Sequence, residues 1–183
     1  MNADQKTKAA ALHKLYKPLR TLIRVLDSDV QYAREQWRPD PSSQFWRRTF
    51  VRCCCARAEG TLSVLKNAVR DIADYFGVQL TEKEIVEVVF ECRAFLKPRE
   101  NVKRTFKVFA RAHGVPVAIK YDETGFADLC DTFILRNRLM HPKGLFDLEV
   151  TDKAVDAAVR GEKWFGCVLT NVLQECGKKL PFR

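Results

Sequence analysis

The chain is poor in residues that break regular structure and poor in residues that build metal sites. Only 8 of its 183 residues are Gly and 7 are Pro. That scarcity disfavours a turn-rich β-sandwich and leaves room for long helices. Histidine occurs three times and no Cys-x-x-Cys pair occurs, so no zinc-type spacing is present. No apolar run approaches the ~20 residues that cross a bilayer. The first twelve residues are polar and alanine-rich rather than a signal peptide. These absences set the expectation of a soluble cytoplasmic protein that uses no metal or other cofactor and touches no membrane.

What is present is enough for a core and a basic surface. Hydrophobic residues make up 46% and aromatics 10%, which excludes wholesale disorder. Thirty-two Lys and Arg against 23 acidic residues give a formal charge of +9. That sign favours polyanions as partners, nucleic acid or an anionic surface. The seven cysteines, at 53, 54, 55, 92, 130, 167 and 176, are odd in number and mostly fall on apolar helical stretches. They read as buried, reduced thiols. Consecutive side chains on a helix point about 100° apart, so Cys53, Cys54 and Cys55 cannot converge on one ion.

Apolar residues recur at three and four along nearly the whole chain, and no alternating strand pattern competes. Residues 3–36 carry Leu12, Leu15, Leu19, Leu22, Ile23 and Leu26 on one stripe, with Pro18 expected to break or kink the helix. Residues 38–43, with two prolines, are a plain interruption. From Ser42 a long helix runs to Phe76, where Gly77 ends it. Thr81 and Glu84 form a capping box for a further helix carrying Ile85, Val88, Val89 and Cys92, which Pro98 ends. Another helix covers 101–113, and 115–121 is an extended connection. Asp122 is expected to cap the next helix, with Phe126, Leu129, Cys130, Phe133, Ile134 and Met140 on one face. Thr151 caps the last. The sum is an all-α, up-and-down helical bundle, read as an N-terminal helical extension over 1–40 and a bundle domain over 41–183.

The chemistry concentrates where the penultimate helix ends, at Arg136-Asn137-Arg138-Leu139-Met140-His141-Pro142. Continuing the apolar stripe by one step reaches Asn137, which places an amide on a core-facing position. Asn137 and His141 stand four apart and can share a helical face, with Arg136 beside it. Pro142 disfavours helical backbone at His141, so the histidine should sit at the helix end. Imidazole suits general acid–base chemistry near neutrality. An arginine beside it can grip a phosphate through two nitrogens and stabilise added negative charge.

Arg136-Asn137, three residues, then His141 resembles the motif of HEPN domains: arginine, a polar residue, and histidine four to six positions after the arginine. The setting is similar too. The motif closes a helix of an α-bundle, and a polar loop over 143–151 and a final helix follow. A long earlier helix carries Glu59-Gly60. The resemblance covers about residues 45–177 and leaves 1–40 unassigned. It implies a HEPN-type bundle with an extra N-terminal helical segment. It further implies a metal-independent endoribonuclease, of toxin or defence-effector kind, in which the RNA 2′-hydroxyl attacks the neighbouring phosphorus to leave a cyclic phosphate.

In that reading His141 handles the proton, Arg136 binds and polarises the phosphate, and Asn137 orients the histidine or touches phosphate. Glu59 and Arg138 are accessory candidates. The family habit implies a homodimer with a composite site, RNA as substrate, and a cognate antitoxin or regulatory protein as partner. The alternative is a non-catalytic HEPN-like RNA- or nucleotide-binding or assembly module; a helical adaptor without nucleic acid is a third reading. Plainer roles stand beside each residue. His141 could cap a helix, Arg136 could pair with a surface acid, and Glu59 could be salt-bridged. Arg138 could be the true phosphate ligand or a solvated charge. His13 and His113 read as surface residues. Arg47-Arg48, Lys103-Arg104 and Lys178-Lys179 read as solvated faces.

Overall fold

The computed structural model describes residues 3–89 and 97–180, and within them not the side chains of 3–9, 11, 12, 15 and 89. The expectations for Leu12, Leu15, the Val89 side chain and Cys92 lie outside the described residues. All regular structure among the described residues is helical. In chain order it comprises α1 (Ala3–Trp37), α2 (Gln44–Phe76), α3 (Glu82–Glu84), α4 (Pro98–Ala112), α5 (Thr124–Met140) and α6 (Asp152–Gly177). A π-helical turn, Ile85–Val89, continues α3, and a 3-10 turn, Leu145–Leu148, precedes α6. The all-α reading holds. No described helix is long and apolar enough to cross a membrane.

Most helix ends follow the expected local chemistry. Gly77 adopts φ 66°, and the two bonds Gly77 N–H to the Asp74 carbonyl and Val78 N–H to the Ala73 carbonyl wrap the chain back over the end of α2. Gly114, at φ 64°, closes α4 the same way. Thr81 and Glu84 form the reciprocal capping box.

Four details depart from expectation. α1 runs through Pro18 unbroken. The capping box opens a single α-turn that passes into a π-turn, not an ordinary helix. Pro98 begins α4, three residues ahead of the expected start at 101, because a first-turn residue needs no intrahelical N–H bond. The N-cap of α5 is Glu123, one residue after the expected Asp122, and it makes no side-chain cap bond.

The chain divides into two compact units. The first comprises Met1–Leu22, Thr61–Ile119 and Leu169–Arg183. Its buried residues include Leu62, Leu65, Val69 and Ile72 of α2, and Val102, Phe106 and Phe109 of α4. His113 is also buried here, at 2% exposure, and so is not the surface residue expected. It follows an apolar helix face, and its ring is paired through both nitrogens, to the Phe109 carbonyl and the Tyr16 hydroxyl.

The second unit comprises Ile23–Gly60 and Lys120–Val168. Its core joins Val30 and Ala33 of α1, Phe50, Val51 and Cys54 of α2, Leu135 and Leu139 of α5, and Val150, Val155 and Ala158. Glycines let its helices approach closely. A Cβ on Gly60 would lie 2.8 Å from Leu26, and one on Gly161 would lie 2.6 Å from the Leu129 backbone nitrogen. A charge network around buried Arg57 braces it: Arg57 bonds the partly exposed Asp27 and, at 2.8 Å, Glu162, which also takes Arg34 at 2.7 Å. Without Arg57, Glu162 would keep only Arg34 and Asp27 would turn to solvent.

Candidate active site

The motif residues all belong to the second unit. α5 buries Phe126, Asp128, Leu129, Thr132, Phe133, Leu135 and Leu139. This stripe is rotated from the expected one, because two polar residues belong to it. Asp128 is buried by a two-point bond from Arg160, at 2.7 and 3.2 Å, and the Thr132 hydroxyl donates to the Asp128 carbonyl at 2.7 Å. Ile134 and Met140 are therefore exposed, and so is Asn137, which does not face the core. At about 100° per residue, Asn137 falls on the flank shared with Cys130 and Ile134, whereas Arg136 falls on the buried stripe itself where it reaches the helix end.

Arg136 is half-buried, and its Nη2 donates to Oε1 of Glu59 on α2. The same guanidinium is the chief charge opposing the upward shift of the Cys55 thiol, which burial pushes up to about 12. Cys55 is accordingly a neutral packing group whose Sγ–H reaches the Thr132 carbonyl at 3.5 Å. Cys53 and Cys54 are also raised by burial. A thiol held neutral is a poor metal ligand, and no metal-binding cluster of His, Cys, Asp or Glu occurs among the described residues.

His141 is the C-cap of α5, with φ −131° and ψ 58°, outside the helical region that the following Pro142 disfavours. Its N–H donates to the Asn137 carbonyl at 3.1 Å. Both side chains are exposed, and among the described residues neither the Asn137 amide nor the His141 ring has a hydrogen-bond partner. The structure thus brings Glu59 to Arg136 and sets Asn137 beside His141. No side-chain bond joins the two pairs among the described residues. Arg138 turns another way: its Nη2 donates to the Glu149 carbonyl at 3.0 Å, and its guanidinium lies 5.7 Å from the centre of the Phe146 ring.

The loop behind the motif is held by α2 through Arg47 and Arg48, read from sequence as a solvated face, and through Gln44 and Arg52, which were not singled out from sequence. Gln44 bonds both the N–H and the carbonyl of Val150, at 2.8 and 3.2 Å. Arg47 donates to the Val150 carbonyl at 2.8 Å, and Arg48 to the Leu148 carbonyl at 3.1 Å. Arg52 takes the Leu139 carbonyl at the end of α5, at 3.2 Å. Arg47 and Arg48 are therefore not a solvated face. The signal for this was their spacing, since 44, 48 and 52 repeat every four residues on one side of α2. Arg104 likewise pairs with Glu87.

Between this loop and α5 lies a cavity of about 340 Å³, lined in part by Asp131, Ile134, Arg138, Phe146 and Glu149. Leu145 and Phe146 at the loop tip are 88% and 75% exposed.

No family model, curated protein or solved structure matches the chain. The chemistry of these side chains therefore carries the functional reading.

Proposed function

We propose that the chain is a HEPN-type, metal-independent endoribonuclease acting through Arg136, Asn137 and His141. The observation that carries this reading is the pair of unpartnered, exposed polar side chains, Asn137 and His141, at the end of a helix whose neighbouring Arg136 is oriented by Glu59. Both side chains are open to solvent at the helix end, where a substrate can reach them without displacing a protein partner. In the proposed reaction the RNA 2′-hydroxyl attacks the adjacent phosphorus and its proton leaves to a base. The 5′-oxygen departs with a proton from an acid, leaving a 2′,3′-cyclic phosphate and a 5′-hydroxyl. His141 carries the proton. Arg136 clamps the phosphate, and Asn137 orients the ring or the phosphate.

Arg136 and the Asn137–His141 flank project from different sides of α5, which supports a homodimer in which two copies complete one groove and two histidines divide the acid and base roles. Exposed Met140 and Leu145 flank the motif with apolar surface that a second copy would cover. A toxin or defence role in the cytoplasm, with an antitoxin or regulatory partner, belongs to the same proposal.

A non-catalytic RNA- or nucleotide-binding module is favoured by one observation. The Arg136–Glu59 ion pair already satisfies part of the clamp, and a phosphate must compete with that carboxylate. Labelled single-stranded RNA incubated with the protein in EDTA separates the two. The ribonuclease reading predicts cleavage that Arg136→Ala cripples, with weaker RNA affinity as well. Binding without cleavage would favour the module. Light scattering at tens of micromolar, a scale that separates weak from stable pairs, should give a dimer, and a strict monomer counts against the composite groove.

A further inference from the structure

We propose that the cavity between α5 and the loop after it is a base pocket that takes guanine from single-stranded RNA, next to the bond that is cut. The placement beside the scissile bond rests on the ribonuclease reading; the base recognition itself does not.

The cavity has the makings of a flat-ring site. Its volume of about 340 Å³ lies at the small end of ligand pockets, about 300–1,000 Å³. That is room for one ring system and not for a helix face. Phe146 offers an aromatic wall although it is 75% exposed, and Arg138 lies over its ring at 5.7 Å. Bases splayed from single-stranded RNA stack on such aromatic and guanidinium planes. Ile134, Leu135, Ala154 and Ala157 supply an apolar lining.

The polar groups choose among bases. Asp131 and Glu149 line the cavity, both are exposed, and neither carboxylate has a hydrogen bond or ion pair among the described residues. Carboxylates only accept. Of the four bases, guanine alone presents two adjacent donor groups, N1–H and the 2-amino group, on its pairing edge, with an acceptor, O6, beside them. Arg138 supplies the complementary donor capacity. One of its nitrogens is bound to the Glu149 carbonyl, and its Nε is buried with no partner. Arginine is also the side chain that most often reads guanine acceptors in nucleic acids. Uracil has one donor and two acceptors on that edge, and adenine and cytosine each have only their amino group.

The position fits a substrate that continues from the motif. Arg138 and His141 are three residues apart, a neighbouring spacing on a helix surface of about 5–6 Å between Cβ atoms. A base in the cavity would leave its sugar and phosphate directed along the end of α5.

The test uses the four 5′-mononucleotides, which share one phosphate and differ only in base, titrated calorimetrically into wild-type protein. GMP should bind at least about tenfold more tightly than AMP, CMP or UMP. Phe146→Ala should weaken GMP by about tenfold or more, as expected for one stacked base. The double variant Asp131→Asn, Glu149→Gln should bring GMP down towards the other three. All three positions are exposed, so folding is not at risk, and thermal melts check it. Equal affinities for the four nucleotides, or no binding of GMP at millimolar concentration, would overturn the pocket. Selective GMP binding by a protein that cuts no RNA would support the pocket and defeat the ribonuclease reading. Cleavage with no preference for guanine, unaltered by Phe146→Ala, would defeat the pocket and leave that reading standing.

Discussion

Two histidines occupy the same station in the two units and meet opposite fates. His113 is the C-cap of α4 and His141 is the C-cap of α5. Behind His113 stands Gly114, whose positive φ lets the chain fold back over the helix end. The ring is buried, Nδ1–H donates to the Phe109 carbonyl at 2.8 Å, and Nε2 accepts from the Tyr16 hydroxyl. Burial pushes the Tyr16 hydroxyl far up, so it remains a neutral donor. Behind His141 stands Pro142, and the chain leads away into a loop that α2 holds from the other end, at Leu148 and Val150. The His141 ring is exposed and unpartnered among the described residues. The residue that follows the cap thus separates a histidine that builds the fold from one available for chemistry.

This contrast can be broken by substitution. His113→Ala should cost about 2–4 kcal/mol, from the cavity and from a stranded Tyr16 hydroxyl, whereas His141→Ala should change stability by no more than about 0.5 kcal/mol. Urea melts of the two variants measure both. Gly114→Ala should cost about 1–2 kcal/mol through left-handed backbone strain alone, because no atom lies within 4 Å of its added methyl. Pro142→Ala should be close to neutral by the same assay.

The pH dependence sharpens the comparison further. Burial lowers the proton affinity of His113, and its bond to the Phe109 carbonyl opposes this only in part. The unfolded chain, with histidine near 6.5, then binds the proton more readily than the folded one. His113 therefore contributes stability that is fully present above about pH 6.5 and lost as pH falls below it. Melting temperature should decline over that acid limb, and His113→Gln should flatten this part of the profile. A small effect is also expected at Glu59. Its pair with Arg136 is partly exposed, so Glu59→Gln should change stability by less than about 1 kcal/mol.

Helix positions were largely legible in the sequence, because apolar spacing and punctuating glycines act locally. The ends of α2 and α4 at Gly77 and Gly114, the Thr81–Glu84 box and the exposed C-cap at His141 all follow from a few neighbouring residues. What was not legible depended on partners far along the chain. Asp128 joins the buried stripe of α5 only because Arg160, 32 residues later, neutralises it. That shift of the stripe is why Asn137 faces solvent. Arg47 and Arg48 resemble any surface pair until the Leu148 and Val150 carbonyls, about 100 residues on, are seen to receive them. His113 looked exposed because its Tyr16 partner is 97 residues away. At the site, the Glu59–Arg136 pair was visible only as two separate candidates, and the cavity beside Phe146 had no local signal.

The most direct test sets the two histidines side by side in one assay. Labelled single-stranded RNA is incubated in EDTA with wild type, His141→Ala and His113→Gln, each normalised to its folded fraction by circular dichroism, and the product ends are analysed. Wild type and His113→Gln should cut at comparable rates and leave 2′,3′-cyclic phosphate ends. His141→Ala should lose about 10²–10⁴-fold, the usual contribution of a general acid–base residue. Undiminished cleavage by His141→Ala, or no cleavage by wild type, would contradict the account.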